Sequence, residues 1–201
     1  MKLIMISGGV RSGKSRYAEE MAHQLSLAGA STILPTSQSS SPITNGSVLY
    51  VATGHIYDDE MRTRIEAHRN RRPSEWGLLE TPDKLTEGVA NYEGYPVILV
   101  DSLSAWVGNQ LMAVSEEQCR SDEVTMHVKD EIQQWLHAMR TKLSTEAAVF
   151  IVTDEVGWGG VAMNPLGRWF QDVIGDANQQ LAAEADEVFA VISGLPLRLK
   201  G

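Results

Sequence analysis

The sequence predicts a three-layer α/β fold with a mostly parallel central sheet, and three observations carry that prediction. Apolar runs of strand length recur along the 201 residues. Stretches of helical character separate them. The first run leads directly into a glycine-rich turn that opens a helix. Near-continuous apolar strands are buried on both faces, which implies a parallel sheet covered by helices. Alternating strand and helix supply the covering layers.

In chain order, the first strand is expected over Lys2-Leu3-Ile4-Met5-Ile6-Ser7, followed by the turn Gly8–Ser15 and a helix over 14–28. Residues 30–47 carry no charge, are rich in Ser and Thr and contain two prolines. They predict a long flexible surface loop between the first helix and the second strand, a tolerated insertion at small cost in stability or else a functional lid. The second strand is expected over 48–53, a charged helix over 59–71, and the third strand over Val97–Asp101. A helix over 118–142, a fourth strand over 149–153, a helix over 165–184 and a fifth strand over 187–192 complete the pattern. The length suits a single domain, 1–201, with one sizeable core.

The turn reads GGVRSGKS and fits G-x-x-x-x-G-K-[ST], the phosphate-binding loop, in its required strand–loop–helix context. Gly8, Gly9, Val10, Arg11, Ser12 and Gly13 would turn backbone N–H groups towards phosphate oxygens. The helix that follows adds the positive end of its dipole. Lys14 would reach the β- and γ-phosphates, and Ser15 would ligate Mg²⁺. The loop implies a nucleoside triphosphate without choosing the reaction.

Composition narrows the partners. A net charge of −9 argues against a nucleic-acid backbone. No apolar run reaches bilayer-spanning length. The glycine loop occupies the place where a signal peptide would need its apolar segment, so no export is expected. Cys119 is the sole cysteine, which rules out an intrachain disulfide framework and a multi-cysteine zinc site. A reducing cytoplasm fits these features.

Further candidates cluster at strand ends, where ligands bind in such sheets. Asp101 closes the third strand and suits a Mg²⁺-shell carboxylate beside a phosphate loop. Asp154 and Glu155 follow the fourth strand in the same way, and the sequence does not choose between them. In the segment 53–73, Asp58, Asp59 and Glu60 begin the charged helix, and Arg69, Arg71 and Arg72 end it before Pro73. Helix-end electrostatics accounts for much of this. Met61, Ile65 and His68 share one face, a spacing that a partly buried structural histidine and a phosphate-handling one both satisfy. Glycines surround Trp158, Asn164 and Pro165 have the form of a helix cap, and Arg168 lies one turn further on. A purely structural loop and a substrate-facing one both suit this region.

Together these stretches resemble one family, the bifunctional adenosylcobinamide kinase / adenosylcobinamide-phosphate guanylyltransferases of cobalamin biosynthesis. The resemblance runs from Leu3 to about Lys200, apart from 30–47. It is carried by GGVRSGKSRYAE, YVATGHIYDDEMRTRIEAHRNRRP, VILVDSLSAWVGNQL, VTDEVGWGGV and NPLGRWFQDVIGDANQQLAAEADEVFAVISG. The DDEM…RI…HR…RP and EVG…NQ.LA..ADEV blocks are far more specific than the glycine loop.

The resemblance implies a RecA-like P-loop fold and a homotrimer. It also implies two reactions: phosphorylation of the adenosylcobinamide hydroxyl from ATP or GTP, then transfer of GMP from GTP through a GMP–histidine. It assigns the histidine to His68 and nucleotide contacts to Gly8 through Ser15, Ala52, Thr53, Gly54, Arg69, Asn70, Arg71, Arg72, Glu80 and Asp101. Ser15 and Asp101 would hold Mg²⁺. The chain departs from the family pattern in having Asp154 where Asn is usual, Ala162 near a frequent proline, Asp101 where Glu is frequent, and a longer 30–47 loop. Two other functions remain compatible with the loop alone: a simple small-molecule kinase, and a non-catalytic nucleotide-sensing protein.

Overall fold

The computed structural model describes residues 1–30, 47–56, 59 and 72–201. Among the described residues, seven strands form one sheet: β1 (Lys2–Gly8), β2 (Val48–Ala52), β3 (Gly77–Glu80), β4 (Val97–Asp101), β5 (Ala148–Asp154), β6 (Glu187–Ile192) and β7 (Leu195–Lys200). Their order is β3-β2-β4-β5-β1-β6-β7. All neighbours are parallel except β6 and β7. The helices of the described residues are α1 (Lys14–Ala30), α2 (Leu85–Gly88), α3 (Leu103–Met112), α4 (Asp122–Lys142) and α5 (Pro165–Glu184).

The two-residue period of a strand explains why the central runs are apolar throughout. Leu3, Met5, Leu49, Val51, Ile98, Val100, Val149 and Ile151 point to one face, against Trp106, Trp135, Trp169 and the other inward residues of α3, α4 and α5. Ile4, Ile6, Tyr50, Leu99, Phe150 and Val152 point to the opposite face, where Ala18 and Ala22 of α1 close the second core. Each apolar face meets a helix layer, as the doubly buried pattern predicts.

The structure extends and corrects the sequence reading. β3 and β7 were not expected, nor were α2 and α3. The second strand ends at Ala52 rather than Thr53, whose side chain turns inward to bond Ser102. The helix expected over 118–142 starts at Asp122, capped by Ser121, because Arg120 takes φ 67° and interrupts it. Most of the predicted 30–47 loop and of the 59–71 helix lies outside the described residues. Among those residues, no helix is long and apolar enough to cross a membrane.

Candidate functional site

The parallel strands deliver the predicted residues to one edge of the sheet. Gly8 ends β1 opposite Asp154 of β5. Asp101 ends β4 opposite Ala52, and Ala52 in turn faces Glu80 of β3. The loop Gly8–Ser15 sits on this edge at the N-terminus of α1.

Two glycines of the loop are required by geometry. A Cβ on Gly8 would lie 2.6 Å from the Val191 carbonyl oxygen, so β1 and β6 approach too closely for any side chain. Gly13 takes φ 95° and packs against Gly194. Ser193 and Gly194, both with positive φ, form the tight β6–β7 turn. The Gly194 N–H donates to the Ser12 carbonyl at 2.8 Å, so the unexpected hairpin props the phosphate loop from below.

Lys14 is already engaged. Its Nζ pairs with Asp154 Oδ1 at 2.5 Å and donates to the Gly9 carbonyl at 3.3 Å. Of the two acids left open, Asp154 faces the loop lysine, whereas Glu155 accepts the Gly157 N–H. Ser104 donates to Asp154 Oδ2 at 2.6 Å, and Asn178 donates to the Asp154 carbonyl while accepting from Thr153.

Ser15 Oγ donates to Asp101 Oδ1 at 3.2 Å. The other carboxylate oxygen accepts the Tyr50 hydroxyl at 2.9 Å. Burial, followed by the Asp101 charge, pushes the Tyr50 hydroxyl well above its ordinary pKa and keeps it protonated as a donor. Arg72 lies with Cζ 3.4 Å from the centroid of the Tyr50 ring and its Nε 3.8 Å from Glu19 Oε1. It also lines a cleft of about 400 Å³ together with Arg16, Glu19, Glu20, His23 and Trp76.

The Thr53 hydroxyl donates to the Ser102 carbonyl and accepts its N–H, and Asn109 holds the Thr53 carbonyl at 2.7 Å. Gly54 follows this anchored residue, and Glu80 is exposed at the end of β3. Predicted residues His68, Arg69, Asn70 and Arg71 lie outside the described residues. The structure thus brings together Gly8–Ser15, Ala52–Gly54, Arg72, Glu80 and Asp101 along one edge.

Sequence reasoning missed Tyr50, Ser104, Asn109 and Asn178 at this edge. One signal was present for α3: Ser102 caps it by accepting the Ala105 N–H, ahead of apolar Leu103, Trp106, Val107 and Leu111. Nothing marked Tyr50, whose hydroxyl matters only because it reaches Asp101, two residues beyond its partner Leu99 on the adjacent strand.

In the C-terminal third, Asn164 caps α5 by accepting the Gly167 N–H at 2.6 Å, with Pro165 at its first position. Arg168 points back to the carbonyls of Ala162 and Met163. Trp169 is buried and Phe170 packs against the core. Trp158, Val161 and Met163 remain 65%, 79% and 95% exposed.

Comparison with known proteins agrees with this geometry. The family model described as "CobU: Cobinamide kinase / cobinamide phosphate guanyltransferase" matches residues 4–199. The Bifunctional adenosylcobalamin biosynthesis protein CobU of Escherichia coli (strain K12) is 36% identical over 98% of this chain and 99% of its own. The Bifunctional adenosylcobalamin biosynthesis protein CobP of Pseudomonas aeruginosa is 31% identical over 98% of this chain and 96% of its own. Among solved structures, an ATPase from the type III secretion system of pathogenic bacteria shares the fold, with a TM-score of 0.52 and 12% identity. That match covers 94% of this chain and 50% of the ATPase. With the family match spanning nearly the whole sequence and the phosphate loop assembled beside Asp101, the chain belongs to the cobinamide kinase / cobinamide phosphate guanyltransferase family.

Proposed function

We propose that this protein phosphorylates adenosylcobinamide from ATP or GTP and then guanylylates the product through a GMP adduct on His68. The observation that carries the proposal is the meeting of Lys14, Ser15, Asp101 and Arg72 along one sheet edge. His68 precedes Arg72 by four residues, and Arg72 is anchored on Tyr50 beside Asp101.

Ser15 and Asp101 offer two hard oxygen atoms 3.2 Å apart. Among the described residues there is no cluster of three or more His, Cys, Asp or Glu that would form an all-protein metal cage. A pair of oxygens beside a phosphate loop suits Mg²⁺, which takes few protein ligands and keeps water and phosphate oxygens. Bound there, Mg²⁺ would neutralise charge developing on the phosphates.

In the kinase step, the corrinoid hydroxyl attacks the γ-phosphorus and the nucleoside diphosphate leaves. Lys14 draws the γ-phosphate into line, and the loop N–H groups hold the β-phosphate. In the second reaction, neutral His68 attacks the α-phosphorus of GTP. A P–N bond forms, the bond to the β-phosphate oxygen breaks, and pyrophosphate leaves. The corrinoid phosphate oxygen then displaces the imidazole, giving adenosylcobinamide-GDP and freeing His68. The homotrimer and the cytoplasmic setting belong to the same proposal.

The test is incubation with α-³²P-labelled GTP and Mg²⁺, followed by denaturing electrophoresis. An acid-labile, alkali-stable protein label is expected, absent from a His68→Ala variant that still binds GTP. No label on folded, GTP-binding wild-type protein would leave the simple kinase as the better reading.

The corrinoid needs an apolar surface near the phosphate loop, and the segment 156–163 is suited to it. Gln171 bonds the Gly160 carbonyl and Arg168 bonds those of Ala162 and Met163, which fixes the backbone. Trp158, Val161 and Met163 are thus held outward in solvent, an arrangement that folding alone does not reward. Trp158→Ala is expected to raise the KM for the corrinoid by about tenfold, the worth of one lost aromatic contact. The KM for nucleotide should stay unchanged. Equal changes in both constants would remove the loop from corrinoid recognition.

A further inference from the structure

We propose that Tyr50 is a positioning residue that ties the metal-facing carboxylate of Asp101 to the arginine segment. This inference rests on the nucleotide reading of the loop and assigns a role towards the metal to a residue that reading uses only as the seat of Arg72. Tyr50 is 5% exposed, in the middle of β2, within a run otherwise made of apolar side chains. Its ring packs in the α1-side core, while its hydroxyl meets Asp101 Oδ2 at 2.9 Å.

The two hydroxyls on Asp101 differ in what nucleotide binding asks of them. Ser15 Oγ donates to Oδ1 in the free protein, and as a metal ligand it must turn its oxygen to the cation. Tyr50 binds the other oxygen and has no such second duty. It can keep its bond throughout and hold Oδ1 towards the loop. Carboxylate ligands are fixed by partners of this kind, whose loss typically costs about 10- to 100-fold in metal affinity or activity.

The ring has a second consequence. The Arg72 guanidinium stacks on it at 3.4 Å, and both groups are largely withdrawn from water: the Arg72 side chain is 10% exposed. Cation–π contacts strengthen when desolvated. One side chain therefore holds the carboxylate through its hydroxyl and the arginine through its face. The hydroxyl and the ring are separable by mutation, which makes the proposal testable.

Tyr50→Phe keeps the ring, the core volume and the Arg72 stack and removes only the donor to Asp101. Tyr50→Leu removes the ring as well. Binding of a fluorescent GTP analogue would be titrated with Mg²⁺ and, separately, in EDTA. For Tyr50→Phe, the Mg²⁺ concentration for half-maximal tight binding should rise about tenfold or more, with EDTA binding equal to wild type. In an Asp101→Asn background, the same substitution should add nothing, because its target charge has gone. Tyr50→Leu should additionally weaken binding in EDTA, through the arginine.

Unchanged Mg²⁺ dependence in Tyr50→Phe would overturn the proposal. So would an equal loss with and without Mg²⁺, which would mark Tyr50 as merely structural. Urea unfolding of each variant separates either result from a folding defect. Failure of wild-type protein to bind the analogue at all would instead overturn the nucleotide reading.

Discussion

Lys14→Ala is expected to lower kcat/KM for phosphoryl transfer by about 10²- to 10³-fold, the usual effect of removing a positioned charge-stabilising donor. The structure adds a reason for a deeper loss. Lys14 pairs with Asp154 at 2.5 Å, and the Asp154 side chain is 26% exposed at the same edge. Without the lysine, Asp154 faces the incoming phosphates as an uncompensated carboxylate. Two like charges a few ångströms apart repel by about 1 kcal/mol in water, and by more where water is excluded.

The double variant Lys14→Ala/Asp154→Asn should therefore bind triphosphate better than Lys14→Ala alone. Asp154→Asn by itself should tighten Mg²⁺-free triphosphate binding, since Lys14 no longer has to leave a partner charge. Steady-state kinetics and nucleotide titration read all three variants. A Lys14→Ala enzyme within about tenfold of wild type would contradict the assignment, and additive effects in the double variant would show that the pair is not coupled.

Trp106→Ala is expected to destabilise the fold by about 3–5 kcal/mol, as truncation of a fully packed large aromatic does. Trp106 is 1% exposed in the core between the sheet and the helices, and its indole N–H donates to the Asp83 carbonyl at 3.1 Å. Truncation opens a cavity and removes one of two donors to that carbonyl, leaving Gln110 Nε2 at 3.3 Å. For a chain of this size the melting midpoint should fall by roughly 6–20 °C. α3 also carries Ser104 and Asn109, which hold Asp154 and Thr53. Nucleotide affinity should consequently weaken even at temperatures where the variant stays folded. A stability loss below about 1 kcal/mol in urea unfolding would mean that α3 is not anchored by this residue.

The parts of the fold legible in the sequence share a physical basis: they are local patterns. β1, β4 and β5 are apolar throughout because both faces are covered, and the glycine loop has a spacing that only close phosphate approach demands. Asn164-Pro165 marked the start of α5 for the same reason, a cap read from adjacent residues. α3 escaped notice because Leu103, Ser104, Trp106, Val107, Asn109 and Leu111 are buried nearly all round, which leaves no polar face to reveal a period. β3 is four residues long, with a half-exposed pattern. The β6–β7 hairpin did carry a signal: Ser193-Gly194 lies between two strand-like runs, the second alternating Leu195, Leu197 and Leu199.

By itself, the sequence determined the three-layer class, the phosphate loop and, through its longer motifs, the family. Each of these is written in neighbouring residues whose spacing has a single physical meaning. Tertiary structure alone decided which acid meets Lys14, that Tyr50 holds Asp101, that Arg72 stacks on Tyr50, and that the β6–β7 turn supports the loop. Those contacts join residues 22 to 182 positions apart. Their partners are chosen by strand order and register, which arise only when both faces of the sheet find their helices.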